Sequence, residues 1–318
     1  MTSIPYKRAF NAARDQSGIA ILLTIAILAV LCTLTVHVSK KVWQEYHASA
    51  VFRDGTQLSA IARSGHDIGL ALLAKDSLEN SHDTLLDSWA IIEKTSFSGL
   101  FPKGILRLQF IDYSGRLPIN SIVGQGKGKD LKESRIRARE LRKVLTTLLN
   151  NGKFNIESPQ QTAEIVAAIV DWIDVNDKES GFGAESGYYL SLTDPYVCRN
   201  GPILSNNELL LIRGITPELL YGTKTHLALE NYITVHGQDG TININSAPEE
   251  LLLALHPDMT EELVKQMTEY RILKENRQLL ADINWYRNIG FWPDTILLND
   301  AILSTSSHFF QLNSLGIS

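Results

Sequence analysis

The sequence has 318 residues, of which 44% are hydrophobic and 20% charged, and it carries a formal net charge of −5. This composition is that of a folded globular chain and excludes a collagen-like or fully disordered polymer. The negative charge argues against a dedicated nucleic-acid-binding protein, because no overall attraction draws the chain to phosphates. The two cysteines, Cys32 and Cys198, are too few for a disulfide framework, and no Cys/His cluster indicates zinc.

An apolar stretch follows a short basic N-terminal segment. Ile19 to Val38 contains no Asp, Glu, Lys or Arg, and twenty residues of helix span about 30 Å, enough for a membrane. Three basic residues and one acid precede this stretch: Lys7, Arg8, Arg14 and Asp15. The positive-inside rule therefore predicts one membrane span with a cytoplasmic N-terminus and everything after Val38 exported. A cleaved signal peptide is the alternative, but the run is too long and lacks a small-x-small site at its end.

The helical pattern continues beyond the span. Apolar residues recur at steps of three and four as far as Leu73, which predicts that one helix runs from the membrane into the next compartment. Within this stretch Gly55, Gly65 and Gly69 are the only potential breakers.

The boundary before the apolar stretch resembles a prepilin leader. The sequence Arg14-Asp15-Gln16-Ser17-Gly18 directly precedes Ile19, and the resemblance implies that prepilin peptidase cuts between Gly18 and Ile19. Most pilin-like proteins carry Glu at the fifth mature position, whereas this chain has Leu23. A carboxylate in the membrane is costly unless a cation neutralises it. In a packed filament of such proteins, that cation is the N-terminal ammonium of the subunit ahead. A tip subunit has none ahead, so Leu23 is typical of the K class of pseudopilins and is expected to face a partner.

Two strand pairs are predicted beyond the stalk. Leu106–Tyr113 alternates and is rich in strand formers, and a turn at Ser114 and Gly115 leads into Arg116–Ile122, which predicts a β-hairpin. Tyr232–Val235 and Thr241–Asn245 flank a Gln-Asp-Gly turn and predict a second pair.

The region between and after these strands is mainly helical in pattern, from Leu131 to Tyr286. Gly124–Asp130, which precedes it, is a Gly/Lys linker without the spacing of a P-loop. Helix starts are marked by Ser or Thr followed by Pro or Glu, at Ser158, Ser205, Thr216 and Ser246. Ala301–Leu312 predicts a final strand.

An acidic loop follows the first capped helix. The fifteen residues from Asp171 to Glu185 carry a net charge of −4, and hard cations such as calcium take six to eight oxygen ligands from flexible loops. The loop is not an EF-hand, because Lys178 and Glu179 stand where the template needs a ligand and a Gly. A solvated acidic loop remains the alternative to a metal site.

A longer stretch resembles the K pseudopilin of type II secretion systems (general secretion pathway protein K). The shared motifs are DWIDVND, GAESGYY and DPYVCRNGPILSNNELLLIRGIT, followed later by TININSAPEELLLAL. The resemblance implies calcium as a cofactor, with candidate ligands Asp174, Asn176, Asp177 and Glu185. Asp171 is a weaker candidate, because it can face its own helix instead.

The resemblance also implies the fold, the location and the partners. The fold class is α+β: a pseudopilin fold, with a long N-terminal helix whose first half is transmembrane and a small antiparallel sheet, plus a large inserted mainly α-helical domain. The expected location is the bacterial inner membrane as a single-pass protein, with the bulk of the chain in the periplasm. The expected role is structural, at the tip of the pseudopilus, starting or capping assembly with pseudopilins I and J, and with pseudopilin H as a further partner.

The expected segments are a leader 1–18, a transmembrane and stalk helix 19–75, a pseudopilin αβ part 76–125, an inserted α-domain 126–286 and a strand region 287–318. Family members continue past the SHFFQL segment, so the last hairpin of the sheet is expected to be missing.

Two other functional classes compete with this interpretation. ININSAPEELL resembles the opening of a DNA-binding helix-hairpin-helix module, but Glu261 and Glu262 follow its turn and repel phosphate. A bitopic enzyme is the other alternative, yet no G-x-S-x-G or H-E-x-x-H motif occurs and the sequence identifies no His partner for Cys198. Cys198 is therefore expected to be buried or simply unpaired. Aromatic residues beside the acidic loop predict core packing, with the rim of an interface as the alternative: Trp172, Phe182, Tyr188 and Tyr189.

Overall fold

The computed structural model describes residues 17–92, 97, 99–124, 126, 128–237 and 239–318. The chain divides into two compact units, one ending at Ala60 and the other running from Ile61 to Ser318. The leader residues up to Gln16 lie outside the described residues. The expectation of a mixed α and β chain led by a long apolar helix is confirmed.

The first unit consists, in its described part, of the beginning of helix α1 (Ser17–Glu79). Its residues from Gly18 to Ser49 are all exposed, although most of those up to Val38 are apolar. No Pro interrupts this stretch, so every residue can donate to the backbone hydrogen bonds of the helix. No Asp, Glu, Lys or Arg lies between Gly18 and Lys40. The predicted long helix is confirmed, and its apolar surface has no protein partner within the described part of the unit.

In the second unit the last turns of α1 pack against a sheet. Ile61, Gly65 and Gly69 are buried and lie four residues apart, on one face of the helix. A Cβ at Gly65 would collide with Leu106 and Ser314, and one at Gly69 would collide with Leu312. Gly65 and Gly69, potential breakers by residue type, therefore do not interrupt the helix. They allow it to approach the sheet closely.

That sheet is formed by the two longest strands, β1 (Ile105–Asp112) and β6 (Phe310–Ile317), which pair antiparallel along their full length. The predicted hairpin from Leu106 to Ile122 is wrong. Strand β2 (Leu117–Pro118) leads into a 3₁₀ helix at Ile119–Ile122, and these residues are almost all buried. A run buried on both sides packs into the core instead of alternating beside β1.

The second predicted pair is also wrong in its pairing. Strand β3 (Ile233–Thr234) pairs with β2, and β4 (Ile242–Asn243) pairs with β5 (Leu303–Ser304), both in parallel. The strands are real but two residues long, and β3 and β4 are fully buried, so packing against distant segments outweighs the local turn. The predicted final strand likewise divides into β5 and β6, with a 3₁₀ turn at Asp300–Ile302.

Between residues 128 and 271 the second unit is mainly helical, as predicted. The helices are α2 (Ser88–Ile91), α3 (Gly128–Leu149), α4 (Pro159–Ile173), α5 (Ser186–Leu190), α6 (Pro217–Tyr221), α7 (Glu249–Ala254) and α8 (Glu261–Arg271). Further 3₁₀ segments are Asn206–Leu211, Leu229–Asn231, Lys274–Ala281 and Trp285–Asn288. The buried faces of α3 to α8 and of these 3₁₀ segments pack together with strands β2, β3, β4 and β5 in one hydrophobic core. The predicted linker is shorter than expected, because α3 begins at Gly128.

Two of the four predicted helix caps form. The hydroxyls of Ser158 and Thr216 accept the backbone N–H groups of Gln161 and Leu219. Ser205 precedes a 3₁₀ helix and makes no cap bond. Ser246 is not a cap either, because α7 begins only at Glu249 and the Ser246 hydroxyl bonds Asp112.

Candidate functional site

The exposed part of α1 is the first candidate site. Gly18 lies in the first turn of the helix, and Ile19 and Leu23 are 69% and 62% exposed. The apolar stretch is long and apolar enough to cross a membrane, by length and composition alone. The described chain contains the cleavage position itself, whereas Arg14 to Gln16 of the leader lie outside it. Cleavage between Gly18 and Ile19 and contact of Leu23 with a partner remain predictions.

Residues at the end of this stretch are those expected at a membrane surface. Lys40 and Lys41 follow the last apolar residue, and Trp43 and Tyr46 are 64% and 71% exposed one turn later. Aromatic rings with a polar edge and lysines are enriched where lipid headgroups meet water. The sequence of an apolar helix, two lysines and two aromatic residues therefore fits a membrane anchor.

The acidic loop between α4 and α5 is the second candidate site. Asp171 is fully buried in the last turn of α4, and its two carboxylate oxygens accept the Ser180 N–H at 3.0 and 3.1 Å. A Cβ at Gly183 would overlap the Asp171 carboxylate, so glycine is required at this close approach. Burial raises the pKa of Asp171. The residue thus faces the loop and folds it back onto the helix.

Glu185, the residue before α5, differs from the other acids of the loop. It is 3% exposed, and neither of its carboxylate oxygens has a hydrogen-bond partner in the described part of the chain. Burial raises the pKa of Glu185 to about 7, and the nearby carboxylates, Asp171 first, add to this, while contact with the Cys198 thiol opposes it. An unpaired buried carboxylate is expensive, which makes Glu185 the point where the loop lacks a cation or a proton.

The remaining predicted ligands lie at the surface of the same loop. Asp174 ends α4 and its Oδ1 accepts both the backbone N–H and the side-chain amide of Asn176, at 3.0 and 2.6 Å. Asp177 accepts the Ser186 N–H at 3.2 Å, and hydrogen bonds from the side chain and the backbone of Ser186 lower the pKa of Asp177. The structure therefore places all five predicted residues on one loop and its flanking turns, with Asp171 and Glu185 buried and the other three at the surface.

The oxygen donors of this loop are of the kind that calcium prefers, but no three of the four candidate carboxylates have oxygens within 4.8 Å of one another in the described structure. Three carboxylates, a carboxamide and a buried unpaired carboxylate supply the hard oxygen ligands that calcium prefers. Asp171, Asp174, Asn176, Asp177 and Glu185 are the residues that would hold the ion, and the missing partner of Glu185 is the structural observation in its favour.

A second acidic cluster was not predicted. Carboxylate oxygens of Asp76, Asp83 and Asp87 lie within 4.8 Å of one another, the one such group among the described acidic, His and Cys side chains. Arg277 Nη2 is 2.5 Å from Asp87 Oδ1. Burial and the charge of Asp87 raise the pKa of Asp76 to about 6. The three acids lie within residues 76–87, but their cation could not be predicted, because Arg277 is 190 residues from Asp87 in the chain.

Donors from the surrounding elements hold the cluster. The Thr84 N–H donates to Asp87 at 2.6 Å, the Ser307 N–H to Asp83 at 2.7 Å, and the Asn80 amide to Asp76 at 2.6 Å. Each carboxylate thus already has a protein donor.

Cys198 and three of the four aromatic residues beside the loop lie where the sequence predicts. Cys198 is 4% exposed, and burial raises the pKa of its thiol to about 12. Trp172 and Tyr189 belong to the core, and Tyr188 is half-buried against it. Phe182 is 62% exposed, so its predicted core position is wrong.

The helices that suggested a helix-hairpin-helix module carry acids at both N-termini. Glu249 and Glu250 lie in the first turn of α7, and Glu261 and Glu262 in the first turn of α8. Carboxylates occupy the helix ends that would otherwise attract phosphate. This geometry disfavours the DNA-binding alternative.

Comparisons with known proteins point to one family. Residues 115–235 match the family model for type II secretion system protein K. Type II secretion system protein K of Aeromonas hydrophila is 27% identical over 78% of this chain and 73% of its own length, and that of Klebsiella pneumoniae is 24% identical over 83% and 74%. The protein K of Pectobacterium carotovorum subsp. carotovorum is 26% identical over 87% of this chain and 81% of its own length.

A solved structure has the same fold. The crystal structure of the GspK-GspI-GspJ complex from the enterotoxigenic Escherichia coli type 2 secretion system matches with a TM-score of 0.58 at 16% identity, covering 84% of this chain and 88% of that chain. The matched region of the family model includes α3, α4 and the acidic loop. The motifs of the sequence, the family model over residues 115–235 and these relatives thus all show similarity to type II secretion system protein K.

Proposed function

We propose that this chain is a minor pseudopilin that forms the tip of a periplasmic pseudopilus together with pseudopilins I and J. The observation that carries the proposal is the exposed apolar beginning of α1, which has Leu23 in place of the usual Glu. The similarity to type II secretion system protein K over residues 115–235 and the fold shared with a GspK-GspI-GspJ complex support it.

The chain acts by assembly and not by turnover. Apolar side chains that have no partner within their own unit pack against the helices of neighbouring pseudopilins in the membrane. Between apolar surfaces in lipid, this association depends on close van der Waals packing. Leu23 needs no N-terminal ammonium from a subunit ahead, which suits the first subunit of the assembly. The bulky helical part of the second unit discourages another subunit from stacking above it.

Processing and topology follow from the same segment. Prepilin peptidase removes residues 1–18, and the mature chain starts at Ile19 with its N-terminus on the cytoplasmic side of the inner membrane. Intact-mass measurement of membrane-extracted protein should give a chain that starts at Ile19, and replacement of Gly18 by a bulkier residue should block the cut. An N-terminus near His37 would indicate ordinary signal peptidase and contradict the proposal.

The acidic loop binds calcium and thereby stabilises the helical part of the chain. The unpaired, buried Glu185 and the net charge of −4 between Asp171 and Glu185 support this. The ion neutralises the repulsion among the carboxylates and gives Glu185 the partner that the protein does not supply.

Co-purification tests the assembly directly. The full chain is co-expressed with tagged pseudopilins I and J and extracted in mild detergent, and the retained proteins are measured. We expect all three to be recovered together and Leu23→Glu to reduce recovery, while Leu78→Glu, at an 87% exposed position beyond the apolar stretch, serves as the matched control. Recovery of I and J without this chain would contradict the proposal.

A further inference from the structure

A cleft in the second unit lies between helix α3 and the beginning of the acidic loop. It has a volume of about 950 Å³. Arg135, Arg139 and Arg142 line one side, at positions i, i+4 and i+7 of α3, so they share one helix face and extend over about 10 Å. The opposite side carries Ile173, Asp174, Val175 and Asn176.

The arginines are only weakly engaged by the rest of the protein. Arg139 contacts Glu140 at 3.3 Å, a pair whose arginine side chain is 69% exposed. Arg142 Nε donates to the Ala138 carbonyl at 3.4 Å, and burial lowers the pKa of Arg142. Within the described part of the chain, no ion pair is formed by Arg135 or Arg142. The cleft therefore presents three guanidinium groups with capacity for further carboxylates.

The other lining residues indicate what kind of acid fits. Val175 is 88% exposed and Pro202 also lines the cleft, so apolar surface adjoins the cations. None of the described lining residues is aromatic, and nucleic-acid bases would find no stacking platform. Separate carboxylates with apolar side chains between them match this surface better.

We propose that this cleft binds an acidic segment of another protein, whose carboxylates pair with Arg135, Arg139 and Arg142 and whose apolar side chains lie against Val175 and Pro202. Guanidinium groups suit this role because they bind carboxylates through two parallel hydrogen bonds. The inference does not depend on the tip assembly, since the cleft lies entirely in the second unit.

A peptide titration tests the cleft. The full chain in detergent is titrated into a fluorescent peptide that alternates leucine with pairs of glutamate, and into the same peptide with glutamine in place of glutamate, and anisotropy is measured. Arg135→Gln/Arg139→Gln is compared with Lys129→Gln/Lys132→Gln, which makes the same charge change on the same helix outside the cleft. All four side chains are exposed, so the variants should fold.

We expect the glutamate peptide to bind about tenfold more tightly than the glutamine peptide, because two or three partly exposed ion pairs each contribute modestly. The arginine variant should lose that advantage, and the lysine variant should keep it within about twofold. Equal loss in both variants, no preference for glutamate, or equally tight binding of an oligothymidylate would overturn the proposal.

Discussion

The two acidic regions of the second unit contain similar groups but differ in what balances their charge. In the cluster of Asp76, Asp83 and Asp87, every carboxylate has a protein donor, and Arg277 supplies a cation. In the loop from Asp171 to Glu185, the surface acids are bonded locally, but buried Glu185 has no donor in the described part of the chain. Every carboxylate of the cluster therefore has a donor from the protein, whereas Glu185 of the loop has none within the described residues.

The largest effect is expected on removing the cation of the cluster. Arg277→Ala leaves the fully buried Asp87 carboxylate without its ion pair, so we expect a loss of about 2 to 4 kcal/mol in the free energy of unfolding, below the full cost for a buried pair because Arg277 is partly exposed. Urea unfolding of the full chain in detergent, followed by tryptophan fluorescence, measures this. Arg277→Lys should lose less than half as much. A small, equal loss in both variants would show that the cluster does not need the cation.

The second prediction concerns the addition of calcium to the loop from Asp171 to Glu185. Calcium at a hundredfold excess over its Kd should stabilise the chain by about 2.7 kcal/mol, because it binds only the folded loop. Thermal melts with calcium and with chelator should differ by several degrees. Glu185→Gln should abolish most of the difference, while Asp76→Asn, in the other acidic region, should leave it intact. Identical melts with calcium and chelator would leave the loop as a solvated acidic turn.

The pH dependence of stability distinguishes the regions further. The pKa of Asp76 is raised from 3.8 to about 6, so its contribution is fully present below pH 3.8 and is lost as the pH rises through 6. Asp76→Asn mimics the protonated carboxyl, and we expect it to be more stable than the wild type at pH 8 by about 1 to 2 kcal/mol, allowing for solvent screening. Unfolding at pH 5 and pH 8 measures the difference. A variant less stable than the wild type at pH 8 would show that the cluster holds Asp76 ionised.

The smallest effect concerns the affinity of the loop for calcium. Because the pKa of Glu185 is about 7 without an ion, calcium must displace a proton below that pH. The affinity should fall by at most about tenfold per unit as the pH drops below 7, and it should level off above it. Calorimetric titrations at pH 6, 7 and 8 test this. An affinity that does not change over this range would exclude Glu185 as a ligand.

Prediction from sequence succeeded where the signal was local. The apolar stretch after Gly18 and the charge density of the acidic loop are properties of contiguous residues, and the capping of α4 by Ser158 involves residues three apart. The unpaired state of Glu185 could not be predicted, because it results from burial by surrounding elements.

Prediction failed where the partner is distant in sequence. The partner of β1 is β6, about two hundred residues later, and turn residues after β1 suggested a hairpin that core packing prevents. Arg277, the cation that pairs with Asp87, is likewise distant in the sequence, at 190 residues from it. The role of Gly65 and Gly69 could not be predicted, because close packing of a helix on a sheet requires knowledge of the sheet.

The central claim, that this chain assembles with pseudopilins I and J, is tested most directly by native mass spectrometry of the three processed proteins, extracted from membranes and mixed in detergent. We expect a complex whose mass equals one copy of each protein, with this chain starting at Ile19. Spectra that contain a complex of I and J alone, beside free copies of this chain at micromolar concentration, would contradict it.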